Sequence, residues 1–290
     1  MCGNDSDGRS ADAGSAPTRR SVLRVTGALA VGVTGLGAAT GSVSAGEIKD
    51  CLETGIEAPA EYPRIDLTDG SSTDDHVPNG VDELCVFAHG WNGTDSSDDN
   101  AHTLALALER NGYEVPVAAA RWDADTLNFW GAESNADVAG ERLADWLRDY
   151  RSQNPDTTLR LLGHSLGARV SLATLSALAG DLTLETVSLF GAAVDEDTVC
   201  DDGTYADGIR ESAERVYAYN SREDDVICSI YGLQTWGDGL GCAGADCGGW
   251  FSDGSTPDNY YDVDVTDAVG GHCEFILPEE GCVPAVVEDF

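Results

Sequence analysis

The sequence predicts an α/β architecture, a mainly parallel sheet with helices on both faces. Three observations carry that expectation. Short apolar runs alternate along the chain with stretches whose apolar residues recur at helical spacing. Gly163-His164-Ser165-Leu166-Gly167 lies between one such run and one such stretch, the strand–turn–helix context that a G-x-S-x-G nucleophile turn requires. The part from Gly46 to Phe290, about 245 residues, suits one domain of this class.

The elements follow in order. Glu83 to Ala88 reads as a strand, and Asp98 to Asn111 as a helix with Ala101, Leu104, Ala107 and Leu108 apolar. Val115 to Arg121 is a second strand, and Ala136 to Arg151 a helix with Val138, Leu143, Trp146 and Leu147 on one side. Leu159 to Leu162 is the strand that enters the serine turn. Ala168 to Ala179 is the helix that leaves it, with Val170, Leu172, Leu175 and Leu178 near helical period. Glu185 to Ala193 is the next strand, followed by a short helix near Ala206 to Glu214 and a strand over Val216 to Asn220. Tyr260 to Val265 is the last expected strand. In an open sheet of this kind ligands bind outside the carboxyl ends of the strands, where the serine turn sits.

The first 45 residues are excluded from the fold. Thr18-Arg19-Arg20-Ser21-Val22-Leu23-Arg24 precedes an uncharged apolar run to about Ala39, and Val43-Ser44-Ala45 offers a small-residue cleavage site. This resembles a twin-arginine export signal, cleaved after Ala45, with the export machinery as its partner. The run is short and glycine-rich for a membrane-anchoring helix. The expected organisation is a signal at 1–45, an extended polar segment at 46–82 and a domain at 83–290. A loop or lid-like insertion is expected at about 228–259.

The chain carries a formal net charge of −36, and Lys49 is its only lysine. Residues 1–45 hold three acidic residues and four arginines, so the remainder carries −37. An acid-rich, lysine-poor surface of this kind resembles that of proteins from extreme halophiles, particularly halophilic archaea. Molar salt shortens the Debye length to about 3 Å and screens the self-repulsion. Nucleic acid is excluded as a partner, because phosphates are repelled and no basic stripe exists. No loop carries the alternating oxygen ligands of a calcium site.

Eight cysteines follow the signal: Cys51, Cys85, Cys200, Cys228, Cys242, Cys247, Cys273 and Cys282. An even number in an exported chain points to disulfides. Spacing alone allows local pairing of Cys242 with Cys247 and of Cys273 with Cys282. Cys85, inside an apolar strand, is expected as a buried thiol. Zinc is disfavoured, because there is no C-x-x-C pair and no histidine-rich partner segment. The predicted chemistry needs no metal and no cofactor.

Serine is a weak nucleophile at neutral pH and needs a base, which in turn needs an orienting acid. With this turn the chain order is serine, acid, histidine. His272 is the one histidine after Ser165, in Gly270-Gly271-His272-Cys273 just past the last expected strand. His164 adjoins the serine and is expected to point away from it. His76 and His102 read as solvated or surface residues. For the acid, Asp224 is the first choice and Asp225 the second, both after the strand ending at Asn220. Asp195 and Asp197 are lesser alternatives. The oxyanion donors are expected to be the backbone N–H of Leu166, at the start of the helix, and that of Trp91 in Ala88-His89-Gly90-Trp91-Asn92-Gly93. His89 is expected to brace that loop.

Phe87-Ala88-His89-Gly90-Trp91, the serine pentapeptide and Gly271-His272 together resemble the α/β-hydrolase superfamily, most closely its lipase and esterase branches. The run from Cys85 to Leu178 resembles a group of little-characterised bacterial and archaeal α/β hydrolases. The resemblance implies a secreted serine hydrolase of carboxylic esters, with Ser165, His272 and Asp224 as a triad. Alternatives are an extracellular polyester depolymerase, an amidase or peptidase on the same triad, or a non-catalytic secreted binding domain of the same fold. Two segments are candidates for shaping a pocket: Trp122, Leu127, Phe129 and Trp130, and then Tyr231, Leu233, Trp236, Leu240, Trp250 and Phe251.

Overall fold

The computed structural model describes residues 55–231, 239–249, 252–279 and 281–290. The expected export signal, Lys49, Cys51, Leu233, Trp236, Trp250 and Phe251 lie outside the described residues.

The described chain opens with two short strands, β1 (Arg64–Asp66) and β2 (Thr73–Asp75), inside the segment expected to be only extended. Strand β3 (Glu83–Ala88), helix α1 (Ser97–Arg110), strand β4 (Val117–Arg121) and helix α2 (Phe129–Gln153) follow. Then come β5 (Thr158–His164), α3 (Leu166–Leu178), β6 (Leu184–Phe190), α4 (Ala206–Ser212) and β7 (Ala213–Asn220). A π-helical turn (Val226–Tyr231), the short helix α5 (Leu240–Ala243) and the two-residue strands β8 (Gly248–Gly249) and β9 (Ser252–Asp253) belong to the insertion. β10 (Tyr260–Asp264) and α6 (Val283–Asp289) complete the described elements.

Eight strands form one sheet in the order β10-β7-β6-β5-β3-β4-β1-β2. Every pairing in it is parallel except that of β1 with β2. Alternation along each strand splits the apolar residues between the two faces. Leu84, Val86 and Ala88 of β3 join one layer with α2 and α3, while Cys85 and Phe87 join the other with α1 and α6. This eight-stranded, mostly parallel sheet with a nucleophile-type turn after β5 is an α/β-hydrolase fold. Arg160 lies buried on β5, and its charge is matched by Glu83 on the neighbouring strand, with which it forms an ion pair. Its remaining donors go to Thr186 Oγ1 (2.8 Å) and the Phe290 carbonyl (3.1 Å), so the buried cation leaves little unpaired.

Three sequence expectations are corrected. Helix α2 starts at Phe129, not Ala136, because the Asn128 side chain caps it by accepting the Gly131 N–H (2.8 Å). Cys242 does not pair with Cys247. The bonds formed are Cys200–Cys247 and Cys228–Cys242, since α5 turns Cys242 toward the π-helical turn. Cys273 and Cys282 are not joined either. Cys282 is a buried free thiol in the α1/α6 layer, whereas Cys273 is disulfide-bonded. Cys85 is a buried free thiol on β3.

Candidate active site

Four strands end at one edge of the sheet, and each delivers part of the site. β5 ends in the turn at Ser165, whose φ of +58° lies in the left-handed region. That conformation is costly for a residue with a Cβ and is kept only where the surroundings fix it. Here the Ser165 N–H donates to the Phe190 carbonyl (2.9 Å), and the Ser165 carbonyl accepts from Ala168 (3.0 Å) and Ala193 (3.2 Å). The flanking glycines are required by close approach. A Cβ on Gly163 would stand 2.3 Å from the Gly167 oxygen, and one on Gly167 would stand 2.0 Å from the Ala88 oxygen.

β3 ends in the loop carrying His89, Gly90 and Trp91. The loop lies directly on the serine, since a Cβ on Gly90 would be 2.9 Å from Ser165 Cβ and 3.4 Å from its Oγ. His89 is buried and braces this loop. Its Nδ1 hydrogen-bonds the Gly90 carbonyl (2.9 Å), its Nε2 accepts the Trp122 N–H (3.3 Å), and the Trp122 indole N–H donates to the His89 carbonyl (2.9 Å). Burial lowers the His89 pKa to about 4, so the ring is neutral with its proton on Nδ1. Trp122, expected to line a pocket, is instead fully buried and stacked on His89 at 5.4 Å.

β7 runs into the turn that holds Asp224, and β10 into the loop that holds His272. His272 Nδ1 and Asp224 Oδ2 are 2.7 Å apart, with Asp224 fully buried and His272 nearly so. The other carboxylate oxygen, Oδ1, accepts the Ile227 N–H (2.9 Å). A proton on Nδ1, donated to Asp224, leaves the Nε2 lone pair as the basic position of the ring. Ser221 Oγ links the two loops by donating to the Val269 carbonyl (2.6 Å). Of the alternative acids, Asp225 and Asp197 are exposed, and Asp195 accepts from Tyr231 Oη (3.1 Å).

His164 does more than the sequence suggests. Its Nε2–H donates to the backbone carbonyl of His272 (2.7 Å), and the two rings lie 4.7 Å apart. Burial and the neighbouring His272 ring lower the His164 pKa to about 3. The only sequence signal for this residue was its place inside the pentapeptide. His76 is exposed beside Asp75, and His102 packs edge-on against Tyr62.

Aromatic rings line one side of the serine loop. Trp91 meets Phe129 edge-to-face at 5.7 Å, and Phe129 meets Tyr231 at 5.6 Å. Leu127 and Trp130 stand exposed beside them. Tyr231 and Leu240 are both buried in the core, whereas Trp91 and Phe129 are only partly buried. Among the described residues no group of three or more His, Cys, Asp or Glu side chains is placed to hold a metal, and no helix is long and apolar enough to cross a membrane.

No family model matches the chain, and no curated protein matches it. Among solved structures it is similar to an α/β serine hydrolase without a lid from Xanthomonas campestris. That likeness has 15% identity, covers 72% of this chain and 78% of that one, and has a TM-score of 0.38. It is similar to Est1E from Butyrivibrio proteoclasticus at 15% identity, over 72% of this chain and 88% of that one, with a TM-score of 0.40. It is also similar to a lipase-esterase related protein from Clostridium acetobutylicum at 11% identity, over 73% and 96% of the two chains, with a TM-score of 0.41.

Proposed function

We propose that this chain is an exported serine hydrolase that cleaves carboxylic esters through an acyl-enzyme intermediate. The observation that carries the reading is the buried His272–Asp224 hydrogen bond at 2.7 Å, beside a serine held at φ +58° on the strand-to-helix turn. Ser165 Oγ attacks the ester carbonyl while His272 Nε2 takes its proton. Asp224 keeps the imidazole in the required tautomer and stabilises the imidazolium. The N–H groups of Leu166, at the N-terminus of α3, and of Trp91 donate to the oxyanion. His272 then protonates the leaving alcohol, and a water activated by the same imidazole releases the acid. The reaction needs no metal or cofactor. The partly buried Trp91 and Phe129, with Leu127 and Trp130 exposed beside them, support an apolar acyl group, in the lipase or esterase range.

Export by the twin-arginine pathway rests on Arg19-Arg20 and the run that follows, and the disulfides suit an oxidising compartment outside the cell. A haloarchaeal setting rests on the −36 charge and the single lysine. The test is hydrolysis of a p-nitrophenyl ester series in molar salt, with Ser165→Ala beside it. Turnover by the wild type and none by Ser165→Ala is expected. A folded wild type that is silent on every ester and takes up no fluorophosphonate would refute the assignment.

A further inference from the structure

We infer that His164 is a positioning residue, which holds the His272 loop in register with Ser165 through the Nε2–H it donates to the His272 carbonyl. This rests on the hydrolase reading and adds to it a group that touches neither substrate nor reacting atoms.

The argument starts from where His164 is anchored. It is the last residue of β5, paired with Phe190 of β6 inside the sheet, and its chain neighbour is the nucleophile. Its side chain crosses to a loop 108 residues further on. The contact thus links the serine turn directly to the loop of the base, which arrive from different strands. The loop has other ties: Asp224 holds the His272 ring, Ser221 holds Val269, Glu274 within the loop holds the Gly270 N–H (2.8 Å), and Cys273 is disulfide-bonded, while the carbonyl of His272 accepts from His164. The His272 ring at 4.7 Å and the Phe275 ring at 6.1 Å pack against the His164 ring.

The residue type also fits the task. The position needs an N–H donor long enough to reach the carbonyl, and it must carry no charge, because His272 becomes a cation during acyl transfer. Lysine or arginine would place a permanent cation against it, and serine is too short. His164 meets both needs, since burial keeps it neutral; the titratable groups bearing on it are His272 and Asp224.

The test compares wild type, Ser165→Ala, His164→Leu and His164→Gln on a short-chain p-nitrophenyl ester in molar salt. His164→Leu should lose about 10- to 100-fold in kcat with KM within about twofold, as expected for a base displaced by a fraction of an ångström. His164→Gln keeps an N–H donor and should recover most of that loss. A folded His164→Leu with wild-type kcat, or a folded His164→Gln as slow as His164→Leu, overturns the inference. If His164→Leu does not fold, ¹⁵N-imidazole spectra of the wild type decide. A neutral Nε2–H ring that does not titrate between about pH 8 and pH 5 supports the assignment, and titration near the ordinary value of about 6.5 overturns it. Wild type inert to both ester and fluorophosphonate removes the hydrolase reading itself, a result distinct from an active wild type indifferent to residue 164.

Discussion

The two described disulfides differ in what they hold, and this gives a prediction with two readouts. Cys228–Cys242 closes a span of 14 residues and Cys200–Cys247 a span of 47. The loop-entropy relation assigns about 3 kcal/mol to the first and about 4 kcal/mol to the second as constraints on the unfolded chain. At roughly 2–4 °C per kcal/mol for a domain of this size, removing the first lowers the melting temperature by about 6–12 °C and removing the second by somewhat more. Activity should rank the other way. The Cys228 N–H donates to the Asp224 carbonyl (2.9 Å), and Gly241, next to Cys242, accepts the Ser221 N–H (3.0 Å) and donates to Ala192 (2.9 Å). The shorter bond therefore ties the Asp224 turn to the end of β6, while the longer one ties segments that bear on neither Asp224 nor His272. Cys228→Ser with Cys242→Ser should lower kcat on a p-nitrophenyl ester by about tenfold or more with little change in KM, given the cost of a misplaced catalytic group. Cys200→Ser with Cys247→Ser should keep most of its kcat below its lowered melting temperature. Calorimetric melts and steady-state kinetics without reductant measure both. Equal kcat for wild type and the Cys228/Cys242 pair, or a larger kcat loss in the Cys200/Cys247 pair, would refute the reasoning.

Other outcomes follow from the same geometry. Gly167→Ala places a Cβ 2.0 Å from one backbone oxygen and 2.7 Å from another, which no side-chain movement relieves, so a loss of more than about 4 kcal/mol is expected, read as failure to fold by circular dichroism. Gly90→Ala meets Ser165 Cβ at 2.9 Å between a braced loop and a fixed turn, so both the melting temperature and kcat should fall. His89 titrates near 4 when folded and near 6.5 when unfolded, so the unfolded chain binds the proton first as pH falls. Stability contributed by its neutral burial is full above about pH 6.5 and declines by about 1.4 kcal/mol per pH unit down to about pH 4. His164 acts in the same direction, and urea melts between pH 7 and pH 5 should lose this slope in part in His89→Gln. With a charge of −36, the melting temperature should rise from dilute buffer to molar sodium chloride, and a fall would contradict the halophilic reading.

Much of the sheet was legible because its central strands are buried on both faces and read as apolar runs between helices of clear period. β1 and β2 were not, since Arg-Ile-Asp and Thr-Asp-Asp are three-residue strands with too few apolar positions to show alternation. The first turns of α2 were hidden by Phe129, Trp130 and Gly131, whose helical state depends on the Asn128 cap. Disulfide pairing follows loop paths that local spacing does not encode, so Cys242 found Cys228 rather than its nearer neighbour in sequence. For the site, chain order singled out His272 and Asp224, and the structure joins them by a hydrogen bond. Trp122 was misread and the contact of His164 with His272 was not foreseen, for one reason: their partners are 33 and 108 positions away.

The cysteines divide into cystines and thiols, and this bears on how long the bonds last. Cys85 on β3 and Cys282 in the α1/α6 layer remain thiols, and burial pushes both pKa values well up. Protonated and enclosed, they are poor nucleophiles toward a disulfide. The described cystines reach the interior as well, since Cys200 is buried and Cys242 packs in the core. Neither buried thiol is therefore a ready partner for exchange, and the two described bonds are kept from reshuffling once they form.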